Sequence, residues 1–149
     1  MKINSDYRDL LRILNEEDVR YLVVGGYAWM AHTEPRYTKD LDVWIQPTLE
    51  NAAALLKALA RFGAPTVGVS SSDFVEPEVF FQIGVEPVRI DVMTSVPGLQ
   101  FPEAWSGRVT VDFEGVPAGV LSWSDVQCAK AASDRKRDRA DLRKARRRK

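Results

Sequence analysis

Residues 23–45 run VVGGYAWMAHTEPRYTKDLDVWI. The apolar run Arg20-Tyr21-Leu22-Val23-Val24 leads into this stretch and predicts a short buried strand. That strand delivers the chain to Gly25-Gly26. A short helix is expected over Tyr27 to His32, stopped ahead of Pro35. Asp40 to Gln46 then alternates around Leu41, Val43 and Ile45, which predicts a second strand closed by Pro47. Two carboxylates, Asp40 and Asp42, fall on that strand one residue apart. Alternation sends both to one face, with Cα atoms roughly 6.5 Å apart.

The flanking sequence supplies further elements. Tyr7, Leu10, Leu11 and Leu14 follow the spacing of one helix face, with Ser5 or Asn4 as cap. Ala52, Leu55, Leu56 and Leu59 repeat that spacing within Leu49 to Phe62, a helix ended by Gly63 and Pro65. Ser70 to Asp73 reads as loop. Val79–Ile83 and Val88–Met93 predict a hairpin around Gly84 to Pro87, and Val109–Phe113 with Val116–Leu121 a second around Glu114-Gly115. Phe101 to Trp105 predicts one helical turn. Ser122 followed by Asp125 caps a helix through Ala132, and another helical stretch is expected from about residue 135 to the end.

The chain has 149 residues, 45% hydrophobic and 28% charged, which favours one domain with one core, residues 1–149. No run approaches the roughly 18 apolar residues of a membrane span. The first residues lack an apolar signal core, and Cys128 is the one cysteine, so no internal disulfide forms. Both features suit a cytoplasmic setting. The net charge of zero conceals a division: residues 130–149 hold eleven Lys or Arg against three Asp, a net of +8, and the first 129 residues carry −8. A basic end of this kind suits an anionic partner, nucleic acid first. A solvated helix end, cationic because the helix dipole favours it, is the competing reading.

The chemistry lies in the order of the residues. Gly25 and Gly26 allow close approach of a backbone to phosphate, and the helix that follows offers its N-terminal N–H groups to an anion. Asp40 and Asp42 can share metal ions. Mg²⁺ prefers such hard oxygen ligands, with substrate phosphates completing its shell, and Mn²⁺ suits the same donors. Asp91, within Val88-Arg89-Ile90-Asp91-Val92-Met93, is the expected third carboxylate, as metal ligand or base; its alternative is to pair with Arg89 or another basic residue. Three carboxylates brought together repel without cations. With two ions about 3.5–4 Å apart they support in-line phosphoryl or nucleotidyl transfer.

These residues resemble the nucleotidyltransferase superfamily typified by DNA polymerase beta, in which a glycine pair precedes D-x-D. GGYA followed by Arg36-Tyr37-Thr38-Lys39-Asp40-Leu41-Asp42 looks like its small stand-alone branch, which includes abortive-infection type toxin nucleotidyltransferases. The glycine segment also resembles that of aminoglycoside and lincosamide nucleotidyltransferases. The resemblance implies an α+β (α/β) fold, a mixed and mostly antiparallel sheet flanked by helices with a C-terminal helical segment. It implies catalytic, metal-holding Asp40, Asp42 and Asp91, and nucleotide binding by Gly25, Gly26, Arg36, Thr38 and Lys130. Arg137, Asp138 and Asp141 match a K/R-D-x-x-D-L segment of the toxin-like relatives. Gly26 departs from the pattern by standing where many members have serine.

The implied activity is Mg²⁺-dependent transfer of a nucleoside monophosphate from an NTP. The basic tail makes RNA, tRNA included, the leading acceptor, with a protein acceptor also open, and a toxin role with an antitoxin or other protein partner follows from the resemblance. An antibiotic-modifying enzyme acting on a small molecule is the second reading, and a module that binds nucleotide or RNA without turnover the third. Among residues outside the motif, His32 is expected to end a helix, Cys128 to face the core, and most of the four tryptophans to serve core or rim packing, with stacking on a base as the alternative. Tyr27 lies beside the glycines, where a nucleotide neighbour and a core ring are both open to it.

Overall fold

The computed structural model describes residues 1–85 and 87–133. The helical stretch expected from about residue 135, with Arg137, Asp138 and Asp141, lies outside the described residues.

Six strands form one sheet in the order β3-β4-β2-β1-β6-β5. They are β1 (Tyr21–Val24), β2 (Asp40–Ile45), β3 (Phe80–Val85), β4 (Val88–Met93), β5 (Val109–Phe113) and β6 (Val116–Val120). Three neighbouring pairs are antiparallel: β1 with β2, β3 with β4, and β5 with β6. Two are parallel, β2 with β4 and β1 with β6. The mixed, mostly antiparallel sheet expected from the sequence is the sheet observed. Among the described residues five helices accompany it: α1 (Ser5–Glu16), α2 (Gly25–His32), α3 (Leu49–Phe62), α4 (Phe101–Ser106) and α5 (Trp123–Ala132).

Local chemistry accounts for most boundaries. Asn4 caps α1 by accepting from the Asp6 N–H, Thr48 caps α3 through the Asn51 N–H, and Ser122 caps α5 through the Asp125 N–H. Every residue of β1 is buried, as its unbroken apolar run requires for a strand in mid-sheet. β2 alternates: Leu41 and Val43 are fully buried on one face, while Asp40 and Asp42 on the other are partly exposed. Further along the carboxylate face, Trp44 is sealed by the edge of the Phe101 ring from α4, 5.1 Å away.

Two expectations change, and one buried polar residue is added. Residues 70–73 do not form open loop: Ser71–Phe74 is a 3-10 turn, because the Asp73 carboxylate accepts from the Ser70 N–H at 2.9 Å and Phe74 is buried against Phe81. Cys128 is exposed rather than core-facing. α5 buries Val126 and Lys130, four residues apart, and Cys128 falls round the helix from that stripe, with Sγ 3.4 Å from the Gly98 carbonyl. Asn51, a polar residue in α3, is buried. Its Oδ1 accepts from the Arg20 N–H at 2.7 Å, and its Nδ2 donates to the Arg20 and Gln46 carbonyls at 2.9 Å each, tying α3 to the ends of β1 and β2. Hydropathy spacing has no signal for such a residue.

Candidate active site

The site begins where β1 runs into α2. Gly25 is the first residue of α2 and has φ +66°, in the left-handed region. A Cβ added there would collide with Oδ2 of Asp42. Asp42 pairs in register with Val24 on β1, so the antiparallel ladder brings its carboxylate beside the glycine. Only a residue without a side chain permits both the turn and this contact.

On its other side β2 runs parallel to β4, and the register sets Asp42 beside Asp91 and Asp40 beside Arg89. Carboxylate oxygens of Asp40, Asp42 and Asp91 all lie within 4.8 Å of one another. Among the described residues they are the one group of three or more acidic, His or Cys side chains so gathered. Asp91 is 1% exposed, while the other two are partly open. The donors are all hard carboxylate oxygens, with no imidazole or thiolate, a set that fits a hard divalent cation.

Arg89 completes the cluster. Its Nε is 3.1 Å from both oxygens of Asp91, and its Nη2 is 2.9 Å from Asp91 Oδ2 and 4.0 Å from Asp40 Oδ2. Of the alternatives open for Asp91, the pairing with Arg89 is therefore present, and it occurs inside the carboxylate group rather than away from it. The bond to Asp91 raises the Arg89 pKa further, so the guanidinium remains charged.

The carboxylates open into a cavity of about 430 Å³. Gly25, Arg89 and Lys130 share its polar wall with them, and Phe80, Met93 and Val126 are among its apolar lining. Lys130 reaches it from α5. It is 9% exposed, with Nζ 4.9 Å from the centre of the Trp29 indole ring. The Arg36 guanidinium lies 5.4 Å from the centre of the same ring. One buried aromatic thus steadies two cations.

Gly26, Arg36 and Thr38 do not line the cavity. A Cβ on Gly26 would stand 3.0 Å from the Thr38 hydroxyl, which occupies the space a side chain at position 26 would enter. Thr38 Oγ1 is 3.2 Å from the Asp40 carbonyl and 3.3 Å from Asp40 Oδ1, so it steadies Asp40. Tyr27 turns away from the site. It is buried edge-on against Tyr7 and Phe113, and burial pushes its pKa up to about 12. His32 ends α2 and donates from Nε2 to the Leu121 carbonyl at 2.7 Å.

Sequence reasoning missed one supporting residue. The buried Tyr7 hydroxyl accepts from the Arg89 N–H at 3.1 Å and lies 3.1 Å from the Lys39 carbonyl, bracing the starts of β2 and β4 where the carboxylates emerge. Burial raises its pKa and keeps it a donor. Helical spacing marks Tyr7 as a core ring and carries no sign of what the hydroxyl meets. Tyr7→Phe leaves the Arg89 N–H and the Lys39 carbonyl short of this partner and is expected to cost about 1–2 kcal/mol in urea unfolding. A stability equal to wild type would remove Tyr7 from the bracing of the site.

A family model described as "Nucleotidyltransferase of unknown function (DUF6036)" matches residues 2–147. Among solved structures, a Thermotoga maritima protein assigned as a nucleotidyltransferase is similar with a TM-score of 0.64 at 16% identity, covering 96% of this chain and 91% of that one. The antibiotic-resistance factor ANT(2'')-Ia is similar with a TM-score of 0.59 at 14% identity, covering 93% of this chain and 80% of that one. At such identities the likeness is one of fold. No curated protein matches the chain. No helix among the described residues is long and apolar enough to cross a membrane.

Proposed function

The chain belongs to the nucleotidyltransferase family whose model spans it, and from that premise we propose that it transfers a nucleoside monophosphate from an NTP to a hydroxyl of RNA, with Mg²⁺ held by Asp40, Asp42 and Asp91. The observation that carries the reading is the gathering of these three carboxylates within 4.8 Å, at a cavity that also holds Gly25 and Lys130.

The proposed roles follow from position. Gly25, at the N-terminus of α2, offers backbone N–H groups to the triphosphate. Lys130 adds a point charge for phosphate, while Trp29 restricts where its ammonium can sit. Thr38 and Tyr7 hold the ends of β2 and β4 so that Asp40 and Asp91 keep their separation. Gly26 and Arg36 act from behind the cavity wall, Gly26 by leaving room for Thr38. A divalent cation supplies Lewis-acid neutralisation of the phosphate oxygens and lowers the pKa of the acceptor hydroxyl. The acceptor oxygen bonds to the α-phosphorus, the bond to the β-phosphate oxygen breaks, and pyrophosphate leaves. Asp91, the deepest of the three, would join the other two in ligating the cation or take the hydroxyl proton.

RNA as acceptor is supported by the net +8 of residues 130–149. The resemblance of Arg36–Asp42 and of residues 121–142 to toxin-like relatives extends the proposal to a toxin with an antitoxin partner in the cytoplasm. The fold likeness to ANT(2'')-Ia supports the second reading, a small antibiotic as acceptor.

Incubation with labelled NTPs, Mg²⁺ and either total RNA or a panel of aminoglycosides separates these readings. Label is expected on RNA, with RNA binding that weakens steeply as salt rises. Label on an antibiotic alone would move the assignment to the small-molecule reading. Binding of NTP without transfer to either, unaltered by Asp40→Ala, would leave only a binding module.

A further inference from the structure

The inference concerns Arg89 and rests on the proposed metal-dependent reading of the site. β2 and β4 run parallel and in register, so four side chains form a two-by-two block on one face: Asp40 beside Arg89, and Asp42 beside Asp91. Alternation along each strand puts all four on the same side of the sheet. The block therefore holds three negative charges and one positive charge, a net of −2.

Arg89 sits within the block rather than at its edge. Nε contacts both oxygens of Asp91 at 3.1 Å, Nη2 contacts Oδ2 at 2.9 Å, and the same Nη2 stands 4.0 Å from Asp40 Oδ2. Asp91 is 1% exposed, and the Arg89 side chain 29%. The buried carboxylate is thus gripped by a guanidinium whose own flank faces the cavity. A cation entering the block meets a positive charge a few ångströms away and competes with it for the oxygens of Asp91. A polyphosphate entering the cavity offers the same guanidinium an alternative anionic partner.

We propose that Arg89 is a built-in counter-ion that withholds Asp91 from metal in the nucleotide-free protein and turns its guanidinium to the triphosphate when nucleotide binds. Arg89 thereby couples metal loading to substrate. Two opposite consequences follow from one residue. Removing the guanidinium frees the carboxylates for metal, and it deprives the triphosphate of a cation. An Arg89 whose only task was to hold Asp91 in place would weaken both kinds of binding when lost.

The test uses the full chain and Arg89→Met. Mn²⁺ is titrated into nucleotide-free protein by electron paramagnetic resonance. Binding of a non-hydrolysable ATP analogue is then measured at saturating Mn²⁺. Mn²⁺ is expected to bind the variant at least about tenfold more tightly than wild type, as expected when a neighbouring positive charge is removed. The analogue is expected to bind it about tenfold or more weakly. Mn²⁺ affinity in Arg89→Met that is equal to or below wild type overturns the proposal. If that variant does not fold, Arg89→Lys decides. A lysine cannot grip both oxygens of Asp91, so tighter Mn²⁺ binding than wild type supports the proposal and equal or weaker binding overturns it. Failure of the wild type to bind Mn²⁺ even with the analogue present would instead count against the metal-dependent function itself.

Discussion

Asp42→Asn is expected to lower nucleotidyl transfer by about 10³-fold or more while leaving the protein folded. Loss of a group that acts as part of a catalytic unit costs on this scale, because the remaining members do not act independently. Asp42 is the central member of the acidic group. It pairs with Val24 on one side and Asp91 on the other, and its Oδ2 lies against Gly25. Asparagine keeps the shape and removes the charge, so the contact with Gly25 survives and a ligand oxygen loses its charge. Like charges in the group repel, and relieving that repulsion leaves the melting temperature equal to or above wild type. Turnover of labelled NTP together with thermal unfolding checks both halves. A variant within tenfold of wild-type turnover would exclude Asp42 from catalysis.

Gly25→Ala is the second large effect, and it falls on stability and activity together. At φ +66° an L-residue pays about 1–2 kcal/mol of steric strain. The added Cβ also enters the space of Asp42 Oδ2, so the carboxylate must rotate away from the other two. A total loss of about 2–3 kcal/mol in urea unfolding is expected, with transfer reduced by about 10²-fold or more because the acidic group is displaced. Gly26→Ala supplies the contrast. Its Cβ would meet the Thr38 side chain, nearest at the hydroxyl 3.0 Å away, which must give by a few tenths of an ångström against its bonds to Asp40. Its effect should be several-fold smaller in both measurements. Equal effects at the two glycines would contradict the close contact between Gly25 and Asp42.

The proposal of an RNA acceptor rests on the charge of residues 130–149 in the sequence alone, whereas the acidic group rests on both sequence and fold. The difference shows in particular residues. Asp40 and Asp42 share a face because strand side chains alternate, a local rule needing no partner strand. The bounds of α3, Leu49 to Phe62, follow from its cap and from Gly63 in the same way. Cys128 is exposed where its sequence context suggests a core position, because α5 has a weak apolar stripe and its buried face is chosen by what it packs against. Tyr27 was open because adjacency to the glycines places a residue along the chain but not around a helix.

The groups at the candidate site, and the strands and turns they ride on, are legible in the residues themselves: the glycines at the strand end, the paired aspartates, a third aspartate in an apolar strand. Those features depend on residue type and short-range periodicity. Which of these groups meet is set by long-range pairing and packing. The parallel pairing of β2 with β4 joins residues about fifty apart and sets Asp91 beside Asp42. The same register inserts Arg89 among the carboxylates. The packing of α5 on α2 lays Lys130 over Trp29, and the burial of Tyr7 and Asn51 carries their polar groups to distant backbone. Register and packing are settled by burial across the whole sheet rather than by neighbours in the chain, and so they cannot be read from any local stretch.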